Sequence, residues 1–390
     1  MKIAMLGHKR IPSREGGVEI VVEELAVRMA QMGHEVTVYN RKGEHVAGIY
    51  EDSKNRKKSF SYKGVEVKTA WTLPNKSLNA VVYSFFATIR AAMSQAEIVH
   101  FHAEGPCAMI PIAKIFGKKC IATIHGLDWK RAKWGGFATR FLLFGEKTAA
   151  KYADEVIVLS KDVQKYFKET YNRDTLLIFN GVNKPEHREP KIITMRYALK
   201  GNDYLLFLAR LVPEKGVHTL LEAYRKSGVG LPLVIAGGVS HSSDYAAKIY
   251  AMSEEINREA EQLHTDQKVI LTGFVQGTEL EELYSNAGVY ILPSEIEGLP
   301  LSLLEAMSYG NLCITSDIPE NTDVIGAYGM SFPVGNVEAL STTLKEIADN
   351  MDVLRKQKTY GKEAIANFVL EKFNWEEVTK RTIECYESKK

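Results

Sequence analysis

Two basic and two acidic residues in the second half of the chain have the types and spacing to do chemistry. Arg210 and Lys215 stand in LFLARLVPEKG, and Glu297 and Glu305 bracket the mostly apolar stretch EGLPLSLLE. The run GVYILPS before that stretch reads as a strand ending near Ser294, which puts Glu297 and Gly298 in a loop. Pro300 suits the first turn of a helix running through Leu301–Tyr309, with Glu305 set back inside it. Free backbone N–H groups at Gly298, Leu299 and the start of that helix make an anion site. Arg210 and Lys215 are fixed cations suited to a diphosphate, one a planar fork and the other a compact charge. They could also stabilise the negative charge that builds on a departing nucleotide. Carboxylates at both ends of the segment could hold hydroxyls on two parts of one ligand. A nucleotide-sugar, with sugar, diphosphate and ribose in line, fits. Taken singly, the acids could equally be a helix-start charge and a solvated loop group, and the cations a solvated turn.

The elements that must position these residues are legible as alternation. KIAMLG, EVTVYN, EIVHFH, CIATIHG, EVIVLS and TLLIFNG read as buried strands, and VEIVVEELAVRMAQMG between two of them as a helix ending at Gly33. YLLFLAR, PLVIAGG, KVILTGF, GVYILPS and NLCITSD repeat the plan, with helical patterns between them. Such repetition implies an α/β chain of two doubly wound, Rossmann-like parallel-sheet domains. Ligands of such sheets bind beyond the carboxyl ends of the strands, so the two sheets are expected to face each other across an interdomain cleft. The polar segment NKPEHREPKIITMRYALKGND is the expected linker, giving domains 1–187 and 188–373. The terminal helix 374–390 is expected to join the first domain.

Size and composition agree. At 390 residues the chain exceeds one ordinary core. A hydrophobic content of 45% with 25% charged residues is that of a globular protein. No run of about 18 apolar residues suggests a membrane span. The start MKIAMLGHKR enters a strand pattern without the apolar region of a secretory leader. Cys107, Cys120, Cys313 and Cys385 are scattered without metal or redox spacing, so unpaired thiols in a cytoplasmic setting are expected. The net charge of +2 hides an asymmetry: residues 1–190 carry 30 Lys/Arg against 20 Asp/Glu, and residues 191–390 carry 20 against 28.

The ordered set of motifs resembles the retaining glycosyltransferases of the GT-B fold, family GT4. That family's C-terminal domain carries an Arg/Lys pair after its first strand and two glutamates separated by seven residues. Further matching stretches are EGGVEIVVEELA near the start, TIHGLD, NGV at 180–182, and LTGFV at 271–275; together the motifs cover essentially the whole chain. The resemblance implies that Glu297 lies beside the donor sugar, that Glu305 holds the ribose, and that Arg210 and Lys215 grip the diphosphate. It implies that backbone at Phe274 and Val275 meets the nucleobase, with Gly298, Leu299 and Pro300 beside the phosphates. It also implies that His125 faces the donor sugar from the N-terminal domain. Gly16 and Gly17, lacking a Cβ, would let backbone approach the diphosphate and acceptor region. Asp128 is a weaker candidate, and His102 or Glu104 could line the acceptor side. Where the family commonly has NGVD, this chain has NGVN, with Asn183 in place of the acid.

Retention of anomeric configuration is implied, with the departing phosphate oxygen as the leading acceptor for the incoming proton. No Asp-x-Asp metal motif is evident and His100 and His102 lack further ligands at metal spacing, so neither metal nor cofactor is expected. The donor is a nucleotide-diphosphate sugar whose base (UDP, GDP, ADP or dTDP) stays open. The acceptor is a saccharide or lipid-linked glycan of cell-surface polysaccharide or glycolipid synthesis. WKRAKWGGFATRFLLFGEKTAAK (residues 129–151) interleaves six basic residues with Trp129, Trp134, Phe137, Phe141 and Phe144, and KNRKKSFSYKGVEVK (residues 54–68) is a second basic run. Such patterns suit docking of the N-terminal domain on an anionic inner membrane face; the aromatics could equally be core. Competing functions are a GT-B phosphorylase or sugar-nucleotide epimerase, and a nucleic-acid binder using the basic half. No pyridoxal-phosphate lysine and no base-stacking module is recognisable, which disfavours a phosphorylase and nucleic acid as a partner.

Overall fold

The structure, a computed structural model, describes residues 1–43, 59–75, 78–130, 136–239, 243–356 and 360–388. The chain divides into two compact units, Met1–Asn180 with Trp375–Lys390, and Gly181–Asn374. The change of unit at Gly181 falls ahead of the polar linker segment.

In the first unit, β1 (Lys2–Leu6) leads through α1 (Gly17–Gln31) to β2 (Glu35–Arg41), then to β3 (Ser59–Tyr62) and β4 (Val65–Ala70). There follow α2 (Asn79–Ala92), β5 (Ile98–His102), α3 (Glu104–Cys107), α4 (Ile110–Ile115), β6 (Lys119–Ile124), α5 (Gly136–Tyr152), β7 (Glu155–Val158), α6 (Lys161–Tyr171) and β8 (Leu176–Leu177). The sheet order is β3-β4-β2-β1-β5-β6-β7-β8. All pairings are parallel except β3 with β4. The order reverses direction at β1, so the loops after β1 and β5 flank a topological switch point. Ala4 and Leu6 join one core cluster with Tyr83, Cys107, Ile110, Ala149 and Phe167, from α2 to α6. Ile3 and Met5 alternate with them and are buried on the other face.

The second unit runs α7 (Ile192–Tyr197), β9 (Leu205–Leu208), α8 (Val217–Ser227), β10 (Leu233–Ala236), α9 (Ser243–Leu263), β11 (Val269–Gly273), α10 (Thr278–Asn286) and β12 (Val289–Leu292). It continues with α11 (Leu301–Ser308), β13 (Leu312–Ser316), α12 (Pro319–Ile325), β14 (Met330–Phe332), α13 (Val337–Lys356) and α14 (Lys362–Lys372). Its six strands are all parallel in the order β11-β10-β9-β12-β13-β14, with the switch point at β9 and β12. The last helix, α15 (Trp375–Glu387), belongs to the first unit and packs on α1.

Local departures from the sequence expectations have physical causes. TLLIFNG contributes only the two-residue edge strand β8, because an edge strand has one neighbour to fix its length. Pro300 caps α11 in an extended conformation (φ −75°, ψ 98°) instead of entering the helix. The four cysteines are buried and free, and burial pushes the thiols of Cys107, Cys313 and Cys385 up.

Candidate active site

In the second unit the strand-to-helix loops are knitted together at the switch point. The loop after β9 carries Arg210 and a single 3₁₀ turn, Pro213–Lys215, ending at Gly216 (φ +65°). A Cβ on Gly216 would lie 2.2 Å from the carbonyl oxygen of Pro293, so only glycine lets this loop meet the loop after β12. The Glu295 N–H then donates to Glu214 O at 2.9 Å. The Lys215 ammonium donates to the Glu297 carboxylate, the two side chains being 17% and 7% exposed. Loops that are 82 residues apart in sequence thus deliver a cation and an acid to one spot. Arg210, half-buried on the same loop, makes no side-chain ion pair or hydrogen bond among the described residues. Its fork of donors is available to an anion.

The loops after β10 and β11 extend this edge. A Cβ on Gly237 would sit 1.8 Å from Ala209 O, and Gly237 N–H donates to Gly273 O at 2.8 Å. Phe274 and Val275 follow directly, Phe274 within van der Waals reach of Gly238. Gly298, Leu299 and Pro300 are buried ahead of α11. The first bonds inside that helix run from Leu303 and Leu304 N–H to Pro300 O, which leaves the amides of Leu301 and Ser302 at its open N-terminus.

Glu305 lies in the second turn of α11, half-buried, and accepts a hydrogen bond from the Tyr284 hydroxyl at 3.2 Å. Burial, with Glu305 beside it, pushes the Tyr284 phenol well above its ordinary range, so it stays a donor. Tyr290 donates to Ser302 Oγ at 2.8 Å, and Tyr309 stacks on Tyr284 at 5.4 Å. Two buried tyrosines from α10 and β12 therefore fix the face of α11 that carries Glu305. The sequence reading missed them, because Tyr284 and Tyr290 look like ordinary core residues of a helix and a strand.

The first unit presents a different edge. Gly16 and Gly17 stand at the start of α1, and Glu19 in its first turn is 7% exposed. Glu19 accepts from Lys9 N–H at 2.8 Å, and a Cβ on Gly16 would lie 2.3 Å from its other carboxylate oxygen. In this form the α1 N-terminus faces the chain's own carboxylate. His8, 1% exposed, donates from Nε2 to Asn40 Oδ1 at 2.9 Å. The amide of Asn40 is oriented by its two bonds to the Ile11 backbone. His125 follows β6 directly and is half-buried, with Nε2 3.1 Å from His102 Nδ1. His102 and Glu104 are wholly buried, which corrects the expectation that either lines an accessible acceptor surface. The cause is that His102 ends β5, a central strand, and Glu104 opens α3, which packs against α5 and α2. Asp128 opens a 3₁₀ turn, half-buried. Among the described residues no three His, Cys, Asp or Glu side chains converge as a metal site.

Of the aromatics in the basic segment, Trp129 packs against the core and donates to Glu146 at 3.1 Å, so it is not a surface anchor. Phe141 is half-buried, whereas Phe137 and Phe144 are 72% and 57% exposed. Arg131, Lys133, Trp134 and the 54–58 part of the second basic run lie outside the described residues.

Comparisons with known proteins match both units of the chain. Residues 195–364 match the family model of glycosyl transferases group 1, and residues 15–184 that of glycosyltransferase family 4. This chain is a GT-B glycosyltransferase of the family 4 type. The glycosyltransferase is 23% identical over 414 residues to an alpha-maltose-1-phosphate synthase of Mycolicibacterium smegmatis, covering 99% of each chain. It is 27% identical over 198 residues to O-antigen chain mannosyltransferase B of Escherichia coli, covering 50% of this chain and 48% of that one. In fold it is similar to sucrose-phosphate synthase from Thermosynechococcus elongatus (TM-score 0.80, 20% identity, 99% and 98% covered). It is likewise similar to Anabaena HepE in complex with UDP and glucose (TM-score 0.78, 16% identity, both chains covered fully). Family membership decides for a glycosyltransferase against the nucleic-acid binder and the epimerase.

Proposed function

We propose that this glycosyltransferase moves a hexose-type sugar from a nucleotide-diphosphate donor to a saccharide or lipid-linked acceptor, with retention of anomeric configuration, in cell-surface polysaccharide or glycolipid synthesis. The observation that carries the reading is the meeting of Lys215 with Glu297, beside Arg210 and the open start of α11. Arg210, Lys215 and the α11 amides take the diphosphate, whose negative charge grows as the sugar–phosphate bond breaks. When the diphosphate draws Lys215, Glu297 is released to orient the sugar. Glu305, held by Tyr284, takes the ribose hydroxyls, and backbone at Phe274 and Val275 meets the base. Gly16 and Gly17 serve the acceptor side and His125 the sugar. The incoming hydroxyl gives its proton to the departing phosphate oxygen on the face where the new bond forms, which requires no metal or cofactor. Support comes from the neighbours, since HepE structures hold UDP or UDP-glucose and two relatives are O-antigen mannosyltransferases.

A thermal-shift panel of UDP, GDP, ADP and dTDP tests the donor site, because a ligand bound only by the folded state raises its melting temperature. One nucleotide is expected to stabilise the wild type and not Glu305→Ala. No shift with any of the four would count against the site. Product stereochemistry read by NMR tests the mechanism, and an inverted anomer would sink it.

The same reading includes peripheral contact of the first unit with an anionic membrane at the inner face of the cell. On α5, Phe137, Arg140, Phe144, Lys147 and Lys151 are exposed at the spacing of one helical face. On α2, Phe85 and Phe86 are 42% and 39% exposed and Met93 just beyond is 71% exposed, with Trp71 edge-on to Phe86 at 5.3 Å. Between these helices α4 touches both, and Ile115 at its end is 83% exposed. Apolar groups beside a cationic stripe suit an interfacial contact in which the rings enter the lipid and the cations meet headgroups. No described helix is long and apolar enough to cross a membrane. Flotation with anionic vesicles should be lost in a Phe85→Ser/Phe86→Ser double variant. Equal flotation of that variant, or of the wild type on neutral vesicles, would refute the contact.

A further inference from the structure

Four imidazoles gather at the carboxyl ends of β1, β5 and β6, and only one of them is reached by the reading above. His100 and His102 stack with ring centroids 4.1 Å apart, and His102 and His125 lie 5.3 Å apart at 31°. His102 is 0% exposed, and its Nε2 is buried without a hydrogen-bond partner among the described residues. We infer that His102 is a positioning residue: its Nδ1–H donates to His125 Nε2 and fixes the His125 proton on Nδ1. The functional weight of this rests on His125 serving the donor sugar.

Proton counting fixes the direction of this bond. Burial, followed by the fields of His100, His125 and His8, pushes His102 well below its ordinary range. It is therefore neutral near pH 7 and carries one N–H. If His125 donated from Nε2, the His102 proton would sit on Nε2, a buried donor with nothing to receive it. His8 offers no rescue. Its Nε2 holds the proton given to Asn40, and its bare Nδ1 makes no hydrogen bond, so the two rings are out of bonding reach. The other arrangement leaves only a buried lone pair, and orphaned buried N–H groups are the rarer defect. His102 Nδ1–H therefore donates to His125 Nε2, and any group that His125 itself donates to is served from Nδ1. A bond to one ring nitrogen deciding the state of the other is the general rule for working histidines.

The rest of the cluster holds His102 in place. His100 is bonded at Nδ1 to the Tyr386 hydroxyl of α15 and at Nε2 to Thr123 Oγ1, both at 2.7 Å. Thr123 lies on β6 two residues before His125, so strand and ring are fixed together. Gly7 (φ +121°) closes the cluster, because a Cβ there would lie 2.1 Å from His102 O.

The test is a long-range proton–nitrogen correlation on ligand-free protein with nitrogen-15 histidine at pH 7.5. The His125 signals are assigned by their loss in His125→Asn. The wild type is expected to show His125 in the Nδ1–H tautomer. His102→Phe keeps the ring stack without the donor and should lose that pattern, and His102→Gln, whose amide can donate, should restore it. Should His102→Phe fail to fold, the wild-type and His102→Gln spectra still decide. A wild-type His125 protonated at Nε2, or a pattern unchanged by His102→Phe, would overturn the inference. No substrate is present, so failure of the nucleotide panel and failure of this spectrum are separate results.

Discussion

The carboxyl edges of the two sheets are built alike and charged differently. Both are strand-to-helix loops at a switch point, pressed together where glycine removes a Cβ: Gly7 against His102 in the first, Gly216 against Pro293 in the second. The first edge then buries imidazoles and keeps them neutral, with His8 pushed down to about 4 and His100 to about 3, chiefly by burial. The second edge keeps its ions by pairing Lys215 with Glu297 and leaving Arg210 half-buried. Desolvation without a counter-charge selects a neutral group, while desolvation with one retains the pair. Beside the Glu19 carboxylate, the first edge thus keeps its imidazoles as neutral, oriented hydrogen-bonding groups. An edge of ions suits a diphosphate.

Breaking the ionic edge should have the largest effect. On the role proposed for Arg210 at the diphosphate, Arg210→Ala is expected to lower the transfer rate roughly 100- to 1,000-fold, measured as kcat with folding checked by circular dichroism. Next in size, Lys215→Ala leaves the Glu297 carboxylate buried without its partner, at a cost of about 3 kcal/mol in urea unfolding. Lys215→Ala/Glu297→Gln should recover much of that stability without recovering activity. A single variant as stable as the wild type would show that the pair is not a buried one.

The neutral edge should reveal itself through acid. An unfolded imidazole takes a proton below about 6.5, whereas folded His8 waits until about 4 and folded His100 until about 3. The unfolded state therefore binds more protons within that window. The contribution is complete above 6.5 and is lost as the pH falls, at about 1.4 kcal/mol per pH unit for each group. Urea midpoints at pH 7 and pH 5 should separate steeply in the wild type and less in His8→Gln. Smallest of all, Lys147→Glu on exposed α5 should change stability by no more than about 0.5 kcal/mol. It should weaken vesicle binding by about 1 kcal/mol or more, which sharpens the distinction between surface charge and edge charge.

Much of the fold was readable because buried parallel strands write continuous apolar runs: YLLFLAR, KVILTGF and NLCITSD each contain the core of an observed strand. Arg210, Lys215 and Glu297 were singled out because polar residues just after such runs fall on strand-to-helix loops, and Glu305 because of its spacing from Glu297 in the helix that follows. Trp129 was left open between surface and core, since no local pattern tells an aromatic turned to solvent from one bonded to Glu146. His102 was misplaced for a similar reason: alternation marks β5 as a strand, but only its neighbours bury it.

By itself the sequence determined most of the element types, the two doubly wound domains and the loops that carry charge, because periodicity and turn chemistry are local properties of the chain, whereas the antiparallel pair β3–β4 went unread. The tertiary structure alone decided that Lys215 meets Glu297 across 82 residues, that Tyr284 holds Glu305, and that His102 stands behind His125. Those contacts depend on which strands become neighbours and how closely their loops approach. Burial then sets the charge of each group, and burial is a property of the assembled fold.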